Sequence, residues 1–278
     1  MILDLKNVSK VFGKFCPKCL ETTGAEFNSS ICPICKSVVG VNNINLVLSQ
    51  GEVLGIVGES GSGKSTLLQL IYQDQQANRG EIFVKEFTNK EGKKKNILDA
   101  NLNELSYLRN SLMSMIYQNP RLGLNYKFSA GGNIAEKVIM SGNKKYDEIR
   151  NRALYFLNKT EIPVSRIDDY PEYFSGGQQQ RIQISKALSS NPKILLLDEP
   201  TTGLDLSVQA KILDLIKELQ HEIGFSMIVV SHDLGVIKHL TDITVVMKNG
   251  QIVEKGLTDQ VLEDPQHPYT QLLLSSIL

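Results

Sequence analysis

The sequence predicts an α/β fold whose mostly parallel sheet is covered by helices on both faces. Two observations carry this. The apolar strand-like runs "KILLLDEP", "FSMIVVSHD" and "DITVVMKNGQIVEKG" alternate with helical stretches such as "SVQAKILDLIKELQHEIG", the pattern of strands buried on both sides. The first part is instead β-rich, with "ILDLKNVSKVF", "NINLVLSQGEVLGIVG" and "GEIFVKEF" separated by turn residues. Between about 99 and 190 helical patterns dominate, among them "YDEIRNRALYFLNKT" and "QQQRIQISKALSS". "NKEGKKKN" (89–96), with its glycine among lysines, reads as a solvated hairpin tip. There is no internal repeat.

Composition narrows the class. At 278 residues, 41% hydrophobic and 22% charged, the chain suits one large domain or a domain with an inserted lobe. Lys+Arg and Asp+Glu both number 30, so no overall field favours nucleic acid or an anionic membrane surface. No apolar run approaches the roughly 20 residues that span a bilayer, and "MILDLKNVSK" lacks the apolar core of a signal peptide. The expectation is a cytoplasmic protein with no nucleic-acid partner and no membrane insertion, in a compartment where disulfides are disfavoured.

"GESGSGKST" (58–66) fits G-x-x-x-x-G-K-[ST] between the strand-like "VLGIV" and the helix-like "TLLQLIYQ", the context a phosphate-binding P-loop requires. Its glycines permit a tight turn with inward N–H groups, and the helix that follows favours an anion at its start. Gly58, Glu59, Ser60, Gly61, Ser62, Gly63, Lys64, Ser65 and Thr66 form this cradle. Lys64 is placed to reach β- and γ-phosphates, and the Ser65 hydroxyl to ligate Mg²⁺. "ILLLDEP" (194–200) ends an apolar strand in two carboxylates; Asp198 is suited to the Mg²⁺ hydration shell and Glu199 to polarising an attacking water. "FSGGQ" places Ser175, Gly176, Gly177 and Gln178 at the head of an amphipathic helix, a second anion-binding N-terminus. His232, in "SHD", follows another apolar strand.

All four cysteines stand near the start: Cys16, Cys19, Cys32 and Cys35 make C-x₂-C-x₁₂-C-x₂-C. Each pair can form a tight turn that presents two thiolates to one ion, which suits a structural Zn²⁺ in a small zinc-ribbon-like insert. Mononuclear iron or an Fe–S cluster uses the same ligands, and a redox or metal-free role is the remaining alternative. A closed set of four leaves no open coordination position for catalysis.

With "GESGSGKST", the glutamine of "IYQNP", "FSGGQ", "LLLDEPTTGLD" and "SHD" in this order, the chain resembles the ATP-binding cassette (ABC) family over nearly its whole length. The resemblance implies a P-loop NTPase with a RecA-like sheet, an N-terminal antiparallel β subdomain and an inserted α-helical subdomain. One nucleotide-binding domain would occupy 1–278, with the metal-binding insert at 14–40 and the helical subdomain at 119–190 ending in the signature. It implies a Mg²⁺-dependent ATPase working as a head-to-tail homodimer, each ATP lying between one subunit's cradle and the other's "SGGQ". Glu199 would be the general base, Gln118 would contact the metal or water, and His232 would contact the γ-phosphate. Asp205 would communicate across the dimer, and Phe12 would stack on adenine. The family's usual leucine before "SGGQ" is Phe174 here.

"SAGGNI" and "IPVSRIDDYP", in the helical stretch, resemble the ATP-binding subunits of bacterial carbon–phosphorus lyase systems. Soluble lyase core subunits would then be the partners. The ending around "HPYT" resembles peptide-importer ATPases, for which the partners would be membrane permease subunits.

Overall fold

The computed structural model describes residues 1–89 and 91–276. It divides into two compact units, one made of Met1–Asn101 with the C-terminal stretch from Ile228, the other of Leu102–Met227. Lys90 of the expected hairpin tip and Ile277 and Leu278 of the tail lie outside the described residues.

The first unit opens with β1 (Leu3–Phe12), β2 (Val38–Leu48), β3 (Val53–Val57), α1 (Lys64–Tyr72), β4 (Arg79–Thr88) and β5 (Lys94–Asn96). Four of these strands form an antiparallel sheet in the order β2-β1-β4-β5. Alternation, interrupted by register shifts in β1 between Leu5 and Val11, sets its inner face: Leu3, Leu5, Val8 and Val11 on β1 and Ile44, Leu46 and Leu48 on β2 are all buried. Phe12 pairs with Val38, so the cysteine segment is the loop of the β1–β2 hairpin. All five residues of β3 are buried, as a strand covered on both faces must be.

The second unit contains α2 (Leu102–Tyr107), β6 (Met113–Ile116), α3 (Pro120–Gly123), α4 (Ala130–Met140), α5 (Tyr146–Lys159), α6 (Gly176–Leu188), β7 (Ile194–Asp198) and α7 (Leu206–Ile223). β6 and β7 pair in parallel. The helical stretch closes on Ile134, Ala153, Leu157, Ile162, Ile167, Phe174 and Ile182, and α3, α4, α6 and α7 are capped by Asn119, Ser129, Ser175 and Asp205 respectively. The 119–190 stretch lies inside this unit. β6 is a correction to the helical reading of that region: "MSMI" is four residues, buried throughout, too short to show either period.

The chain returns through β8 (Ser226–Val230) to α8 (Leu234–Leu240), β9 (Ile243–Lys248), β10 (Gln251–Leu257), α9 (Thr258–Glu263) and α10 (Pro268–Ser275). β3 runs parallel to β9, with Ile56 opposite Val245, and β9 turns back antiparallel into β10. That turn is Asn249–Gly250, both at positive φ (47° and 80°), the Asn-Gly signature of a type I′ hairpin. Among the described residues no helix is long and apolar enough to cross a membrane.

Candidate nucleotide site and metal centre

In the first unit the loop between β3 and α1 curls around the Lys64 ammonium. Lys64 Nζ donates to the carbonyls of Gly58 and Glu59, each at 2.8 Å, and the side chain is 6% exposed. Gly61 and Gly63 take φ of 81° and 103°, conformations that cost side chains dearly. A Cβ on Gly63 would stand 2.1 Å from the Gly40 carbonyl oxygen, and one on Gly58 2.3 Å from that of Met247. Gly63 is also the N-cap of α1 and offers no capping side chain, so the helix start presents backbone N–H groups as a phosphate cradle does. Glu59 and Ser60 are exposed, Ser62 is buried, and Ser65 and Thr66 are half-buried in the first turn.

Phe12 is exposed at the end of β1, with Lys10 Nζ 5.2 Å from its ring centroid. It abuts this loop: a Cβ on Gly40 would meet Phe12 Cε2 at 2.8 Å and Thr66 Cγ2 at 3.3 Å. The Ser231 N–H donates to the Ile56 carbonyl at 3.3 Å, which places exposed His232 beside the end of β3 that feeds the cradle.

In the second unit Glu199 follows Asp198, the last residue of β7, and adopts φ 47°, a left-handed conformation unfavourable for a glutamate. Its Oε2 accepts from Gln118 Nε2 at 3.2 Å and from Thr202 Oγ1 at 3.0 Å. Ser175 caps α6 in a reciprocal capping box: its Oγ accepts from Gln178 N–H, and Gln178 Oε1 accepts from Ser175 N–H. Gly176 is exposed, and a Cβ on Gly177 would meet Val208 Cγ1 at 2.8 Å. Asp205 caps α7 through Val208 N–H, and the Ser207 hydroxyl, donating at 2.7 Å, holds its carboxyl below the usual range. The signature head and the Asp205 cap therefore lie side by side.

Two residues unmarked in the sequence reading tie these groups together. Gln183, 1% exposed on α6, accepts from Tyr117 N–H at 2.8 Å and donates to Tyr117 O at 3.2 Å and Gln180 Oε1 at 3.0 Å. Gln180, 2% exposed, donates in turn to Pro200 O at 2.9 Å. This buried amide relay joins the neighbours of Gln118 and Glu199 through the signature helix. Its only sequence signal is polarity on the inward face of that helix.

The four cysteines converge. Their Sγ atoms lie within 4.8 Å of one another, with Cys16–Cys19 at 3.5 Å, Cys16–Cys32 at 3.7 Å and Cys19–Cys35 at 3.4 Å, and none is in a disulfide. A tetrahedral ion with Zn–S of about 2.3 Å would set its sulfurs about 3.8 Å apart, so the cluster has the dimensions for one such ion. Burial pushes the Cys19 thiol up to about 12, whereas the Ser37 hydroxyl beside Cys35 brings it down to about 6.

The chain is similar to known proteins over most of its length. The "ABC transporter" profile matches residues 41–202, starting beyond the cysteine insert, and an "Oligopeptide/dipeptide transporter, C-terminal region" profile matches 253–278. The chain is 46% identical over 239 residues to the "Putative phosphonates utilization ATP-binding protein PhnK" of Escherichia coli K12, covering 86% of this chain and 92% of that one. It is 40% identical over 241 residues to the "Oligopeptide transport ATP-binding protein OppF" of Lactococcus lactis IL1403, covering 87% and 73%. Among solved structures, the ATP-binding cassette MJ0796, a dimer in a post-hydrolysis state bound to ADP and Pi, superposes with a TM-score of 0.75 at 30% identity. That match covers 92% of this chain and 99% of the other.

Proposed function

Since the chain belongs to the ABC transporter ATP-binding family, with its P-loop fold and ATP-hydrolysing chemistry, we propose that it is the ATPase subunit of a carbon–phosphorus lyase system. Its partner would be a soluble phosphonate-degrading core. The observation that carries this is the 46% identity to the phosphonate-utilisation protein over 92% of that relative's length.

The residue roles proposed are those the family resemblance implies, and the geometry within each unit supports several of them. The 58–66 loop and the start of α1 would hold the phosphates, with the buried Lys64 ammonium turning from loop carbonyls to phosphate oxygens. By the family resemblance Ser65, Gln118 and Asp198 would hold Mg²⁺; a hydroxyl, an amide oxygen and a carboxylate are hard oxygen donors of the kind it takes, and the ion would neutralise developing phosphate charge. Glu199 would take the proton of the attacking water, its carboxylate aligned by Gln118 and Thr202. His232 would donate to the γ-phosphate and Phe12 would stack on adenine. A homodimer would bring Ser175, Gly176, Gly177, Gln178 and Asp205 of one copy to the nucleotide of the other; the dimeric ADP-bound relative supports this. The cysteine cluster would hold a structural Zn²⁺.

A second reading, a peptide-importer cassette docked on membrane permeases, is favoured by the match at 253–278. The deciding experiment is a pull-down of tagged Glu199→Gln protein from its native host with ATP, followed by mass spectrometry. Soluble lyase subunits in the eluate support the proposal; membrane permeases there overturn it in favour of the importer.

A further inference from the structure

The nucleotide chemistry leaves the cysteine knuckle without a task, yet its contacts lead to the cradle. We propose that the knuckle positions the phosphate loop, acting through Asn42 and the Asn249–Gly250 turn, so that the ion held by the cysteines sets nucleotide affinity. The inference rests on the readings of 58–66 as a nucleotide cradle and of the four cysteines as a metal centre.

One path runs through Asn42, which is 1% exposed. Its Nδ2 donates to the carbonyls of Leu20 (3.0 Å) and Thr23 (3.1 Å), in the turn that carries Cys19, and Thr23 Oγ1 donates to Cys19 O at 2.7 Å. Asn42 Oδ1 is buried with no partner among the described residues. The amide thus serves the knuckle at the expense of its own acceptor, which stays buried and unpaired at a cost in stability. The Asn42 N–H donates to Gly250 O at 2.8 Å, and the Gly250 N–H donates to the carbonyl of Ser62, in the cradle, at 2.9 Å.

A second path is Gln251, next along from that turn. Its Oε1 accepts from Ala25 N–H at 2.8 Å, and the carboxamide fills the space that a Cβ on Gly24 would occupy, 2.3 Å away. Both paths meet where the backbones of Gly40, Gly63 and Gly250 touch: a Cβ on Gly63 would lie 2.1 Å from Gly40 O and 3.4 Å from Gly250 Cα. The cradle is seated on the two segments that grip the knuckle.

The knuckle cannot hold itself in place without the ion. Its apolar centre is Val11, Cys19, Cys32 and Val39, with Phe15 and Leu20 partly buried around them. So small a core calls for a metal to order it. Loss of the ion would free Leu20, Thr23 and Ala25, leave the Asn42 amide unsatisfied, and loosen the turn that holds Ser62.

The test is calorimetric titration of the full chain with ADP in magnesium-free buffer, alongside metal analysis. Three samples are compared: zinc-loaded wild type, wild type stripped by a chelator that is then removed, and a zinc-loaded Asn42→Ala/Gln251→Ala double variant. Stripping is expected to weaken ADP binding about tenfold, reversed by zinc. The double variant should keep its zinc, bind ADP about tenfold more weakly, and lose little further on stripping. Wild-type affinity in the stripped protein, or in the zinc-loaded double variant, overturns the proposal. If the double variant does not fold, Gln251→Ala alone decides: severalfold weaker ADP binding with zinc retained supports the coupling, and unchanged binding refutes it. Wild type that binds no ADP, or holds no metal, instead sinks the cradle or metal reading, and the inference with it.

Discussion

Gln118 Nε2 donates to Glu199 Oε2 at 3.2 Å, joining the ends of two neighbouring parallel strands. The register explains the meeting. Ile116 on β6 stands opposite Leu197 on β7, and Gln118 and Glu199 each lie two residues beyond that rung. Glu199 pays for its place with a left-handed backbone at φ 47°, a strain of about 1–3 kcal/mol. Thr202 adds a second hydrogen bond at 3.0 Å, so the strained residue ends with its carboxylate fixed.

Replacing Glu199 with Gln keeps the size and the contact with Gln118 but removes the base. Steady-state turnover should fall by about 10²–10⁴, while ATP binding persists and size-exclusion chromatography with ATP shows a dimer. Wild-type turnover in this variant would remove Glu199 from the mechanism.

Gly63→Ala should abolish nucleotide binding. The added methyl meets the Gly40 carbonyl at 2.1 Å, and the residue sits at φ 103°, so backbone must move on both counts. Gly61 also has positive φ, but a Cβ there meets nothing within 4 Å; Gly61→Ala should fold and bind, only more weakly. Equal ATP affinities for the two variants would contradict the assignment.

Gln183→Leu tests the amide relay. It removes the Gln183 bonds to Tyr117 N–H and Gln180 Oε1, at about 1–3 kcal/mol for a buried polar group that finds no replacement. The loop's own bonds to Lys64 involve no residue of the relay, so the Kd for ATP should stay near wild type while kcat drops. A parallel loss in both, or in neither, would show that the relay does not position Gln118 and Glu199.

Lys137 makes stability depend on pH. Burial, reinforced by the charge of Lys186, pushes its ammonium down to about 7, against about 10.4 in an unfolded chain. Between those values the unfolded state binds one proton more, so this residue's contribution rises with pH and is lost as pH falls through about 7. Going from pH 7 to pH 9, wild type should gain about 1–2 kcal/mol relative to Lys137→Met in denaturant titrations. Equal changes in the two proteins would rule this out.

What was legible in the sequence was local. The glycines of the cradle, the paired carboxylates ending an apolar strand, and the Ser175 cap of α6 each follow from rules that act within a few residues. The cysteine spacing likewise announced a cluster whose sulfurs the fold brings within 4.8 Å. β6 escaped because four residues buried on every side carry no periodicity.

The sequence alone therefore determined the kinds of chemistry present and the order of the pieces that carry them. Tertiary structure decided which pieces meet. Tyr117 finds Gln183 across 66 residues, and Ala25 finds Gln251 across 226. No local preference specifies such partners. They are set by strand register and by the requirement that each buried amide find an acceptor once packing has excluded water.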